Sequence, residues 1–232
     1  HMTYPQARAA FREIAARDPA CAMADWGVAM TLFQPLWPTR PSPEDLRLGW
    51  ESVQKAQAIQ TTTTREQALI AATAAFFQEP AAKDYWQRIE RWQTAMASAH
   101  AAFPDDVEVT ALYALALLAT GRSGPTMQEH ASEAEALLTA VLRGHPDHPG
   151  ANHFYIHAVE AGPTPEAGLP SADRLLSYAP NAGHLVLIFL RVRLEIDALR
   201  RCCIEPGADG RDHDHEDDEE HQHDVDHRRH VR

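Results

Sequence analysis

The chain has 232 residues, 44% of them hydrophobic and 23% charged, with a formal net charge of −12 at pH 7. That length suits one large or two small domains and is enough to bury a sizeable core, and a mildly acidic body argues against nucleic acid as a partner. No run of about 18 apolar residues occurs, so the sequence predicts no membrane span.

Much of the negative charge lies at one end. The stretch from Glu205 to Arg232 holds eleven acidic residues against four arginines. Alanine and leucine dominate the apolar residues, and no alternating stretch of β-branched residues appears, so almost no sheet is expected. The three cysteines, Cys21, Cys202 and Cys203, form no CxxC and no disulfide framework. His1-Met2 reads as a cloning remnant, and Thr3 then begins in mid-helix. A native N-terminal segment is therefore expected to be missing, which leaves cytoplasm and periplasm both open.

In chain order, Tyr4 to Ala16 places Ala7, Phe11 and Ile14 on one helical face. Cys21 to Phe33 does the same with Met23, Trp26, Met30 and Phe33. A proline-rich loop, QPLWPTRPSP, carries Trp37. Ser42-Pro43-Glu44-Asp45 then reads as a helix start, with a serine cap, a proline in the first turn and acids against the dipole. That helix runs to about Ile59. Further helices are predicted over Arg65–Phe77 (capped by Thr64), Asp84–Ala102, Asp105–Gly121, Thr126–Arg143, Gly150–Ala161, Pro165–Tyr178 and Ala182–Arg200. About ten helices joined by short loops argue for helical hairpins stacked side by side. Each hairpin covers only part of its own apolar surface, and its neighbours must cover the rest.

Several helices share an ending. Ala7, Phe11, Ile14 and Pro19 are spaced as are Trp92, Met96, Ala99 and Pro104; so are Ala134, Leu138, Val141 and Pro146, and so are Gly168, Ala172, Leu175 and Pro180. This pattern resembles the second helix of the tetratricopeptide repeat, with its small-x3-apolar-x2-Ala spacing and closing proline. The first-helix signature is weaker, with Trp26-Gly27 as its nearest echo, and the hairpin Ser42–Phe77 departs from the pattern. The resemblance implies an all-α fold: an irregular right-handed α-solenoid of stacked antiparallel hairpins over residues 3–201, with a concave groove lined by first helices. Residues 202–232 form an acidic, His-rich tail expected to be disordered. Similar bacterial tetratricopeptide proteins continue after the Gly-His-Leu stretch with further histidines and another hairpin. Here the chain turns abruptly to charge, as a change of reading frame would produce.

The stretch His148 to Glu160, HPGANHFYIHAVE, carries the candidate chemistry. His153, His157 and Glu160 are spaced i, i+4, i+7 and so share one helix face. The register implied by the resemblance puts them in the groove with His184 of the next helix. Two imidazoles and a carboxylate can hold one divalent transition metal (Zn, Cu, Ni or Fe), with His184 as a third nitrogen and His148 as a spare. This is not the HExxH zincin motif, because position 154 is Phe. The alternative is a wet polar groove or structural histidines. Met23, Trp26, Met30, Phe33 and Trp37 offer a different surface, suited to an apolar peptide, or else an ordinary core stripe. The leading expectation is a scaffold holding a peptide or protein segment, with metal binding as its alternative and the oligomeric state open.

Overall fold

The structure, a computed structural model, describes residues 4–178 apart from 38, 80–83, 122–124 and 161. Nine α-helices occur among the described residues: α1 (Tyr4–Arg17), α2 (Ala22–Met30), α3 (Pro43–Ala58), α4 (Thr64–Phe77), α5 (Tyr85–Ala102), α6 (Val107–Thr120), α7 (Pro125–Gly144), α8 (Pro149–Val159) and α9 (Leu169–Tyr178). A 3₁₀ turn, Pro165–Gly168, precedes α9, and no strand is present among the described residues. The helix expected over Ala182–Arg200, His184 within it, and the tail lie outside the described residues.

Helix starts follow capping chemistry. Ser42 and Asp45 form a reciprocal capping box, with the Asp45 amide donating to Ser42 Oγ at 3.1 Å and the Ser42 amide to Asp45 Oδ2 at 3.0 Å. The cap of α4 is Thr63 rather than Thr64, paired in the same way with Glu66. The cap of α6 is Asp106 rather than Asp105, its Oδ1 accepting from the Val109 amide at 2.9 Å. In both places two adjacent residues of cap-forming type compete, and the one that wins has its side chain aimed at a free amide. The second helix also stops at Met30, earlier than its apolar row suggests, because the Thr31 hydroxyl donates back to the Val28 carbonyl at 2.7 Å in a closing turn.

Each helix packs on the next in sequence, from α1 on α2 through α8 on α9, and α2 also meets α4 as α6 meets α8. The result is an all-α solenoid of two layers. Even-numbered helices form the inner layer and are buried on most sides: α6 buries Val109, Thr110, Ala111, Tyr113, Ala114, Leu115, Ala116, Leu117 and Ala119. The odd-numbered helices α3 and α5 bury one stripe, in α5 Arg88, Ile89, Trp92, Met96 and Ala99, and α1 has no buried residue. A helix apolar all round must sit inside, whereas one with an apolar stripe can face water.

The recurring small-x3-apolar spacing is the stripe by which odd helices touch the inner layer. Trp92, Met96 and Ala99 of α5 are buried, as are Ala134, Leu138 and Val141 of α7 and Ala172 and Leu175 of α9. In α1 the same stripe is less covered, and Ile14 is 44% exposed. Gly27 allows α1 to seat closely, since a Cβ there would lie 2.4 Å from the Phe11 ring. The core centres on Phe33, Phe76, Phe77 and Trp92. Phe33 stacks on Phe76 at 4.1 Å between centroids and meets Trp92 edge-on at 5.1 Å. No helix among the described residues is long and apolar enough to cross a membrane.

Candidate functional site

Helix α8 begins at Pro149, whose fixed φ and missing amide suit the first helical position. His148 is its cap: Nδ1 accepts from the Ala151 amide at 3.1 Å. Its Nε2 lies 3.3 Å from Glu108 Oε1 but lacks hydrogen-bond geometry to it or to any other group among the described residues. His148 therefore serves the helix start, about two and a half turns from His157 along α8. Asn152, fully buried, anchors the same turn by donating to the carbonyls of Pro146 at 2.8 Å and His148 at 3.0 Å.

The predicted face is present, but its side chains form a chain of contacts instead of converging on one point. Nε2 of His157 lies 3.1 Å from Nε2 of His153, and Nδ1 of His157 lies 2.8 Å from Oε1 of Glu160. Glu160 therefore meets the far side of the His157 ring from His153. With Glu160 ionised, neutral His157 carries its proton on Nδ1 and its Nε2 accepts from Nε2–H of His153. The three-donor set that the spacing suggested is thus split into two facing imidazole nitrogens and one carboxylate that orients the second ring. Among the described residues no group of three or more His, Cys, Asp or Glu side chains is arranged to hold a metal ion.

Glu160 stands at the C-terminal end of α8, where the helix dipole disfavours an anion. Its bond to His157 offsets that placement. His153 is 4% exposed, whereas the side chains of His157 and Glu160 keep 16% and 21% of their surface.

That residual surface opens on a groove of about 790 Å³ between α6, α7 and α8, a size typical of ligand-binding clefts. Leu117 and Leu118 of α6, and Met127, Gln128, Ser132 and Glu135 of α7, supply much of the wall. His157 and Glu160 supply the α8 edge, and Leu36 reaches it from the proline-rich loop. His153 does not line it. No protein-family model matches this chain, and a search of curated proteins found no match.

The apolar row proposed for partner binding lies elsewhere. Phe33 is 1% exposed and belongs to the aromatic centre of the core, so it offers a partner no surface. Trp26 donates its indole N–H to Thr73 Oγ1 of α4 at 2.8 Å, and that hydroxyl lies 3.4 Å from Met30 Sδ. Trp26 and Met30 thus bind α2 to α4, and Met23 packs half-buried beside them. Trp37 is half-buried in the loop turn, where its carbonyl accepts from Arg40 Nη1 at 3.0 Å. Arg40 in turn lies over the rings of Tyr85 and Trp86, at 3.8 and 5.0 Å from their centroids, and pins the loop to α5.

The groove residues of α6 and α7 were missed in the sequence for a definable reason. A register argument taken from the resemblance looks only at first helices, whereas a side of this groove comes from the odd-numbered helix α7. The polar residues Gln128, Ser132 and Glu135, spaced i, i+4, i+7, were the available signal.

Proposed function

We propose that this protein is a tetratricopeptide-like scaffold that holds an extended peptide or protein segment in the groove between α6, α7 and α8. The observation that carries this reading is the composition of the groove wall. Leucine, methionine and alanine side chains line it together with two carboxylates, Glu135 and Glu160, and no lysine or arginine is among the described lining residues. An extended segment with apolar side chains alternating with basic ones matches that surface, since alternate side chains of an extended chain point to opposite sides. The rigid stacked helices hold the wall in place before the partner arrives, which lowers the ordering cost of binding.

The test uses two fluorescein-labelled heptapeptides, one alternating leucine with lysine and one alternating leucine with glutamate, titrated by fluorescence polarisation at about 0.15 M salt. Only the leucine–lysine peptide should bind. The variant Ala131→Trp, which fills the groove from α7, should abolish that binding. Binding that survives Ala131→Trp would assign the affinity to the acidic C-terminal residues and overturn the groove as the site. Absence of binding by either peptide would overturn the reading as well.

A further inference from the structure

We infer that His153 and His157 together bind one divalent transition-metal ion at the edge of the groove, with Glu160 as the positioning carboxylate. This inference is independent of peptide binding and rests on the geometry of α8 and its edge on the groove.

The two nitrogens are already at chelating distance. With metal–nitrogen bonds of about 2.05 Å, nitrogens 3.1 Å apart subtend roughly 98° at the ion. That angle lies between the square-planar and tetrahedral values, within reach of Cu(II), Ni(II) and Zn(II), all of which accept imidazole readily. The rings are inclined at 49° with centroids 4.9 Å apart, so small rotations about χ2 turn both lone pairs to a point beside the line joining them.

The proton inventory allows it. In the hydrogen-bonded pair the proton between the rings sits on one Nε2. When an ion takes its place, that proton moves to Nδ1 of His153, and both imidazoles bind as neutral ligands through Nε2. Glu160 keeps the proton of His157 on Nδ1 and raises the basicity of Nε2. A carboxylate behind a metal-bound imidazole does the same, fixing both the tautomer and the ring plane.

Access is one-sided. His153 is buried in the wall, whereas His157 and Glu160 border the groove. An ion therefore reaches the pair from the groove side, past His157.

The experiment is a calorimetric titration of the full chain with Zn(II), without peptide, in a background where His213, His215, His221, His223, His227 and His230 are replaced by serine. One equivalent should bind. His157→Ala should abolish binding, and Glu160→Gln should weaken it about tenfold, the lower end of the effect of losing such a partner. An unaltered melting temperature for metal-free Glu160→Gln would separate this loss from a loss of folding. In the unaltered chain, Zn(II) should also protect His157 from diethyl pyrocarbonate, mapped by peptide mass spectrometry. No uptake in the background chain, binding indifferent to His157→Ala and Glu160→Gln, or an unprotected His157 would each overturn the inference. None of these outcomes bears on whether a peptide occupies the groove.

Discussion

The guanidinium of Arg88 donates to the main-chain carbonyl of Glu79 at 2.7 Å, and Glu79 is, among the described residues, the non-glycine residue held at a positive φ, 56°. Arg88 is 1% exposed. Its Nη1 also donates to the carbonyls of Phe76 at 2.8 Å and Gln78 at 3.1 Å. One buried side chain of α5 thus donates to three carbonyls at and just beyond the C-terminal end of α4, and its charge faces the negative end of that helix dipole.

Arg88→Met should therefore leave the buried Phe76 carbonyl without this donor, and the part-buried Gln78 and Glu79 carbonyls dependent on water, and destabilise the protein by about 2 kcal/mol, the scale for leaving a buried acceptor unpaired. Urea unfolding monitored by circular dichroism measures this. A cost below about 1 kcal/mol would mean that water replaces the guanidinium and that Arg88 does not hold α4.

Gly49 faces Phe77 so closely that a Cβ would lie 2.1 Å from the ring. Phe77 is fully buried and cannot yield easily, because Phe76 and Phe33 meet it edge-on at 5.0 and 5.6 Å. Alanine improves helix propensity by about 1 kcal/mol, but overpacking costs about 1–3 kcal/mol, so Gly49→Ala should lower the melting temperature. Adding Phe77→Leu, destabilising by itself, should then recover part of the loss. Purely additive effects in the double variant would show that the two positions do not press on each other.

Arg65 of α4 holds Asp106, the cap of α6, in a bidentate pair whose second contact is 3.1 Å. The guanidinium, foremost, and then the capped Val109 amide keep the Asp106 carboxyl below its usual range against the opposing effect of burial. A carboxylate whose folded pKa is depressed contributes stability that is fully present above its unfolded value, about 3.9, and lost as pH falls through the folded value. Asp106→Asn keeps a capping oxygen and removes the charge. At pH 7 it should be less stable than the parent by about 0.5–1 kcal/mol, and the gap should narrow at pH 3. An equal gap at both pH values would show that the ion pair contributes nothing.

Trp26→Phe separates a structural from a partner-binding role for the aromatic row of α2. Losing the bond to Thr73 should destabilise by about 1 kcal/mol. The affinity of the leucine–lysine peptide should not change. A fall in that affinity with unaltered stability would return Trp26 to the binding surface.

Much of this architecture is legible residue by residue. Pro, Ser, Thr and Asp mark the helix starts because capping is local chemistry, and the error at Thr63 and Asp106 is a single position each. The spacing shared by Trp92–Met96–Ala99 and Ala134–Leu138–Val141 marks the buried stripe of α5 and α7 because residues three and four apart share one helix face. The i, i+4, i+7 spacing likewise places His153, His157 and Glu160 on one side of α8, whatever the surroundings.

Other features depend on which helix lies opposite. Periodicity assigns Met23, Trp26, Met30 and Phe33 to one face but cannot say whether that face meets α4 or a partner; Thr73 and Phe76 decide it. The spacing of His153, His157 and Glu160 cannot distinguish three ligands around one point from a carboxylate behind an imidazole, because that depends on χ angles set by packing. The groove itself combines Leu36, α6, α7 and α8, distant segments whose meeting follows from how successive hairpins stack. The sequence by itself determined the helices, their caps and their apolar stripes, because these rest on contacts within a few residues. Only the tertiary structure decided which faces are covered and which open on a groove, because covering a face takes a neighbour that sequence spacing does not specify.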